Sequence, residues 1–340
     1  MRIFTIFFFF LCLGANSYKA IASDQTRQVS ALVATYHDNE SGIYDSASCI
    51  DDSVFVIDDG EYVVDNHGVK IWYKVSGEGP VCIFPSAGWG PGSELYYNSM
   101  SELESFFTMI YVDTRGTGKS DRPPIETYTT KNILSDLEAV RKSIHAEEIW
   151  LIGHSKGGAM VLNYAHGHPG KIRGIILIDA SGGINTPPEI MQKMMMKRQS
   201  ESWFAAASEY FTREPRDEED WITGTRAIMP MYFSSTESFM KNKEVMMKTS
   251  LSYDAFLGQK YWYDCENNLQ YILPQIDIPV LIVVGMDDFI CGPYVAQHLH
   301  YELSNSKLLP LKNAGHFPWM EQPNQFFEGV RRTLYSFPSK

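Results

Sequence analysis

The chain has 340 residues, 44% hydrophobic and 21% charged, enough apolar material for a sizeable core and too little bias for a disordered or fibrous protein. Its formal net charge of −12 argues against nucleic acid or an anionic membrane surface as a partner. In chain order, Arg2 precedes the apolar run Ile3–Leu13, which is short for a bilayer span, and Ala20-Ile21-Ala22 offers an A-x-A cleavage site. Residues 1–22 therefore read as a cleaved signal peptide. The mature protein would be secreted or periplasmic, with no stable membrane insertion. Removing that segment leaves Cys49, Cys82, Cys265 and Cys291, which permit one or two disulfides. Cys82 lies in an apolar strand run where a buried thiol is equally natural, so the pairing stays open. Residues 23–60 read as a mostly polar N-terminal extension.

A first part of an α/β core is expected over residues 61–181. Glu61–Asp65 and Val69–Val75 flank Asn66-His67-Gly68 as a hairpin. Pro80–Phe84 is a buried strand that runs into a glycine-rich stretch, Pro85–Gly92. A helix is predicted through Leu95–Phe107, then a strand over Met109–Asp113 and an amphipathic helix over Thr130–His145. Another strand covers Arg173–Asp179. Strand–helix alternation then stops, and residues 182–266 read as a helical lid inserted after a strand end. The lid holds a Met-rich helix (Met191, Met194, Met195, Met196) and an acidic run, Glu214–Asp220, read as solvated surface. Residues 267–340 resume the core with strand Ile278–Val284, a helix over Val295–Leu303, strand Lys307–Leu311 and a last helix over Phe326–Leu334. Alternating strands and helices imply a mostly parallel sheet covered on both faces, with the hairpin at one edge.

The chemistry gathers around Glu148–Gly158. An apolar strand meets Gly153-His154-Ser155-Lys156-Gly157, which fits G-x-S-x-G, and a small, apolar, helix-spaced run follows. A serine at such a strand-to-helix turn sits in strained backbone with its hydroxyl raised above the sheet, and glycines on either side avoid a clash there. A serine hydroxyl is a weak nucleophile at neutral pH and needs a base with an orienting acid. Loops after parallel strands converge on one edge of the sheet. Two of them carry Gly285-Met286-Asp287-Asp288 and Asn313-Ala314-Gly315-His316, in the order Ser, Asp, His. His316 would take the Ser155 proton, and an aspartate would hold the imidazole in the right tautomer.

These pieces resemble an α/β-hydrolase of the proline iminopeptidase-like branch. Ser86–Gly92 resembles the H-G-G-P-G loop of that branch, Asp113–Ser120 its D-Q-R-G-x-G-x-S, and Gly315–Pro323 its histidine loop. The resemblance selects Asp288 as the acid and implies oxyanion donors in the backbone N–H groups of Lys156 and Gly88. It departs at the nucleophile, where the branch carries G-G-S-W-G, and at the glycine loop, where Ser86 and Ala87 replace His and Gly. The lid tryptophan–glutamate pair with which iminopeptidases hold an amino group has no evident counterpart.

Function is thus expected to be serine hydrolysis through an acyl-enzyme on small carboxylic esters or amides, with no cofactor and no metal. A strict proline iminopeptidase and a non-catalytic binding protein on the same fold are the alternatives. The expected partner is a small-molecule or short-peptide substrate. His166-Gly167-His168 and His298-Leu299-His300 lack the clustered Cys, Asp or Glu a metal site needs. Asp113 and Arg115 are expected to brace loops.

Overall fold

The computed structural model describes residues 57–337. The expected signal peptide, most of the extension, and Cys49 lie outside them. Eight strands form one sheet: β1 (Gly60–Asn66), β2 (Val69–Ser76), β3 (Val81–Pro85), β4 (Thr108–Val112), β5 (Ile149–His154), β6 (Ile172–Ile178), β7 (Val280–Gly285) and β8 (Ser306–Leu311). Their spatial order is β1-β2-β4-β3-β5-β6-β7-β8. The β1–β2 and β2–β4 pairs are antiparallel, and every pair from β4 through β8 is parallel.

The helices outside the insertion are α1 (Glu94–Tyr97), α2 (Thr130–Ser143), α3 (Lys156–Gly167), α11 (Pro293–Glu302), α12 (Pro318–Glu321) and α13 (Pro323–Tyr335). Between β6 and β7 come α4 (Pro188–Met196), α5 (Phe204–Phe211), α6 (Glu218–Ile228), α7 (Thr236–Lys248), α8 (Tyr253–Gly258), α9 (Tyr263–Asn267) and α10 (Leu269–Ile272). Among the described residues, no helix is long and apolar enough to cross a membrane.

The period-two alternation of strand side chains makes the two faces of the core. Leu151, Ile175, Leu177, Val280 and Ile282 point to one face, under Leu137 of α2, Met160 of α3 and Leu299 of α11. Ile152, Ile176, Ile178, Leu281 and Val283 point to the other, against Tyr96 of α1 and Phe326 of α13. Because both faces are covered, the central strands read as unbroken apolar runs. The helices start where the chain supplies a cap. Thr129, Asp217, Ser235 and Ser252 each accept from the backbone N–H three residues on, and Pro188, Pro293 and Pro323 occupy first helical positions.

Two local expectations need correcting. The helix predicted over Leu95–Phe107 is broken: α1 ends at Tyr97, and Met100, at φ −129°, leads into a 3₁₀ turn, Ser101–Ser105. That break lets Leu95, Tyr96, Met100 and Leu103 all be buried on one face of the sheet. The acidic run is not simply solvated. Asp220 is buried in α6, where Arg213 reaches its two oxygens at 2.5 and 2.7 Å and Arg216 adds a contact at 2.8 Å. These hydrogen bonds hold the Asp220 carboxyl well below the usual carboxylate range. The Met-rich α4 packs as expected, with Met195 in an apolar cluster with Ala207, Phe211, Met231 and Phe289.

The bracing expected of Asp113 and Arg115 is present. Asp113 accepts from Ser93 N–H at 2.7 Å and Lys119 N–H at 2.8 Å. Arg115 forms a buried two-pronged pair with Asp136, at 2.6 and 2.8 Å. Cys82, Cys265 and Cys291 are buried, and none is bonded to another of the three.

Candidate active site

Ser155 stands at the junction of β5 and α3 with φ +54° and ψ −130°, a left-handed backbone that few non-glycine residues adopt. Its neighbours hold it there. Ser155 N–H donates to Ile178 O at 3.1 Å, and Ser155 O accepts from Ser181 N–H at 2.8 Å and Gly158 N–H at 3.0 Å. Thus β6 and the loop after it grip the turn from both sides.

The glycines share this work unequally. A Cβ on Gly153 would come within 2.6 Å of Val161 Cγ2 and 2.7 Å of Gly158 Cα, and one on Gly158 would collide with Ala180 Cβ. Gly157 faces open space. The second steric requirement, expected at the last glycine of G-x-S-x-G, therefore falls one residue later, at Gly158.

The two other post-strand loops arrive beside this turn. Asp288 follows β7, and its Oδ2 accepts from His316 Nδ1 at 2.8 Å. Ile290 N–H at 2.9 Å and Cys291 N–H at 3.2 Å also donate to the Asp288 carboxyl. Asp287 does not take part: its half-buried carboxyl is pushed up by burial and faces Lys197 and Arg198. The resemblance thus picked the aspartate that meets the histidine. His316 itself is 2% exposed, and its backbone N–H donates to Tyr232 O at 2.7 Å. Glu321, in α12, secures the same loop by accepting from Gly315 N–H at 2.6 Å and Ser234 N–H at 2.9 Å. Among the described residues' hydrogen bonds there is none between Ser155 and His316. What links them is His154, next in the chain to Ser155; the His154 ring centroid lies 4.6 Å from that of His316.

His154 joins three loops. Its Nε2 is 2.9 Å from His316 O, and its Nδ1 is 3.1 Å from Tyr96 Oη. A carbonyl oxygen can only accept, so the proton sits on Nε2 and Nδ1 accepts from the Tyr96 hydroxyl. Tyr96 Oη in turn receives the Ala87 N–H of the glycine loop. Burial, then the nearby His316, drives the His154 imidazole well below its usual range and keeps it neutral. Sequence reading passed over His154 as the filler position of G-x-S-x-G.

Gly88 lies against the Ser155 turn. A Cβ there would reach Lys156 Cβ at 2.7 Å and the Trp262 ring at 3.0 Å. Lys156 is the first residue of α3, so its N–H has no acceptor within the helix. The Gly88 N–H makes no backbone bond with another described residue. The glycine loop is also sewn to the insertion: Gly92 N–H donates to Ser250 O, Ser252 N–H to Gly90 O, and Ser250 N–H to Glu94 Oε1 at 2.6 Å. Across the site, the Tyr232 ring covers His316 at 5.4 Å and the Phe289 ring stands 5.2 Å from Tyr232. One further acid comes near: Glu266, in α9, accepts from the Ser181 hydroxyl at 2.6 Å. The sequence placed it at the far end of the insertion and offered no sign of this contact. Among the described residues, no three His, Cys, Asp or Glu side chains gather as they would around a metal ion.

Known proteins share this fold. The profile of the alpha/beta hydrolase fold family matches residues 80–323. A proline iminopeptidase of Lactobacillus crispatus (strain ST1) is 27% identical over 270 residues, covering 72% of this chain and 87% of that protein. A proline iminopeptidase of Saccharolobus solfataricus is 23% identical, covering 78% and 89%. Among solved structures, an esterase from Exiguobacterium antarcticum superposes with a TM-score of 0.61 at 19% identity, covering 81% of this chain and 99% of that one.

The glycine geometry gives a direct expectation. Gly157→Ala should be neutral or stabilising, by up to about 1 kcal/mol from helix propensity. Gly158→Ala should lower the urea midpoint, because the new methyl meets Ala180. Urea unfolding of both variants checks the order, and a Gly158→Ala as stable as the parent would show the turn to be looser than described.

Proposed function

Since the chain belongs to the α/β-hydrolase fold family, we propose that it is a serine hydrolase acting through an acyl-enzyme on small carboxylic esters, with Ser155, His316 and Asp288 as its triad. The observation that carries this reading is the strained Ser155 turn, whose neighbour His154 bonds to His316 O, together with the buried His316–Asp288 pair. Ser155 Oγ attacks the substrate carbonyl while His316 Nε2 takes its proton. Asp288 holds Nδ1–H, fixes the tautomer and stabilises the imidazolium. The oxyanion is met by the N–H groups of Gly88 and Lys156, where losing one donor typically costs about 2.7–4 kcal/mol in the barrier. His316 then returns the proton to the leaving alcohol, and water attacks the acyl-enzyme by the same route. Export through the Ala20-Ile21-Ala22 site is part of this proposal.

A preference for esters is supported by Asp220, whose carboxylate is saturated by Arg213 and Arg216 and so has little left for a substrate ammonium. Cleavage of an N-terminal residue is the second reading, favoured by Glu266. It is tethered through Ser181 to the Ser155 carbonyl and lies outside the acidic run. A cationic N-terminus needs such a carboxylate in a partly dry pocket.

Ser155→Ala and His316→Ala should each abolish turnover with little loss of stability. Asp288→Asn should cost far more in kcat than Asp287→Asn, an effect that reaches about 10⁴-fold in a well-studied protease. Near-parental activity in clean Ser155→Ala, or equal losses at the two aspartates, would overturn the assignment. For substrate, short-chain p-nitrophenyl esters should be hydrolysed with higher kcat/KM than prolyl arylamides. If the arylamides win, and Glu266→Gln removes that advantage while sparing esters, the second reading replaces the first. Mass spectrometry of protein from its native host should find Ser23 at the N-terminus, and a retained Met1 or Arg2 would refute export with cleavage.

A further inference from the structure

Asp179 follows β6 immediately, with φ +39° and 1% exposure. Its Oδ1 accepts from Gly285 N–H at 2.9 Å, while its Oδ2 is buried with no donor reaching it. The Asp179 carboxyl lies within hydrogen-bonding reach of the Asp288 carboxyl, and among the described residues no Lys or Arg forms an ion pair with it. Two buried carboxylates side by side without a cation cannot both be ionised at ordinary cost. Asp288 already accepts His316 Nδ1–H and two backbone N–H groups, so it stands as the acceptor of the pair. The spare proton therefore belongs to the other partner.

We propose that Asp179 carries a proton on Oδ2 and donates it in a hydrogen bond to the Asp288 carboxylate, making Asp179 a positioning residue for the acid that orients His316. This rests on the triad reading above. Burial first, and then the neighbouring Asp288 charge, pushes the Asp179 carboxyl well above the usual range, with Glu321 adding in the same direction. The arrangement explains the otherwise orphaned Oδ2, which becomes a donor. It also gives Asp288 one more partner, which helps keep its carboxylate from rotating off the imidazole.

The test uses the near-isosteric amide. In Asp179→Asn, Oδ1 can still accept from Gly285 N–H and Nδ2–H can still donate to Asp288, and Asn tolerates a left-handed backbone well. Kinetics on a p-nitrophenyl ester should show kcat within about threefold of the parent, and the acid limb of kcat/KM unmoved. Asp179→Ala should lose about tenfold or more in kcat at little-changed KM, the loss expected of a hydrogen bond to a charged group. If Asp179 were instead a carboxylate, Asp179→Asn would remove a negative charge beside the imidazolium and shift the acid limb to lower pH; that result overturns the proposal.

A second measurement needs no activity. Unfolded Asp179 ionises above about pH 3.9, whereas folded Asp179 stays protonated, so folding of the parent takes up a proton. Relative to Asp179→Asn, the parent's folding constant should fall about tenfold per pH unit between pH 5 and the raised native value. Asp288, Glu321, Glu266, Cys291, His154, His316, Tyr232 and Lys156, the titratable groups around the site, are common to both proteins. The Tm advantage of Asp179→Asn should therefore widen as pH rises, and a gap that stays flat from pH 5 to 8 sinks the idea. If Ser155→Ala kept its activity the triad reading would fail, yet the thermal measurement would still decide whether the proton is shared.

Discussion

Everything at this site depends on a backbone conformation that Ser155 would not adopt on its own. A left-handed, non-glycine residue in a turn costs on the order of 1–3 kcal/mol, which only the surroundings can hold in place. Here that means bonds from Ile178 and Ser181 on the adjacent strand and its loop, and the close approach of α3 permitted by Gly153 and Gly158. The parallel sheet then does the rest. With β5, β6, β7 and β8 all running one way, the loops carrying Ser155, Asp179, Asp288 and His316 leave the same edge. Distances in sequence of up to 162 residues shrink to one hydrogen bond, as between His154 and His316.

Polar groups inside this edge are joined into a closed account. The Ala87 N–H, the Tyr96 hydroxyl, the His154 ring and the His316 carbonyl form a chain in which each proton has one possible place. Such a network in a low-dielectric interior is costly if any member is lost, and it leaves the three loops little freedom to drift apart. Rigid placement of groups around the reacting atoms is what makes a catalytic site effective, because little reorganisation remains to be done during the reaction.

How far the sequence could be read follows from the range of the forces involved. The strands, the nucleophile turn and the histidine loop were legible because apolar runs and G-x-S-x-G are local patterns. Asp288 was separated from Asp287 only through family likeness, since nothing local tells two adjacent aspartates apart. Asp179, Glu266 and Tyr96 were invisible as site residues. Each matters through a partner far away in sequence, and an aspartate ending a strand looks the same whether it meets a carboxylate or water. Asp220 was misread for the same reason, since the folding back of Arg213 and Arg216 has no signature in the order of residues. The long helix expected after the glycine loop failed because burial of four large side chains on one face outweighed continuous helical spacing.

The stitching of Gly90 and Gly92 to Ser250 and Ser252 has a topological consequence. The excursion between β6 and β7 is not one long chain anchored only at its two roots. A point late in it is pinned to the glycine loop by a short antiparallel bridge at Pro91 and Leu251, and an earlier one to the histidine loop at Tyr232 and Ser234, dividing the excursion into three arcs, residues 179–231, 235–249 and 253–279. Each arc is closed at both ends, so the ordering entropy of each is that of a shorter loop. The pin at Leu251 is also the glycine loop's outer wall. Displacing the insertion as a single rigid flap would tear at the strand of chain that carries Gly88, which Trp262 and Trp221 both pack against.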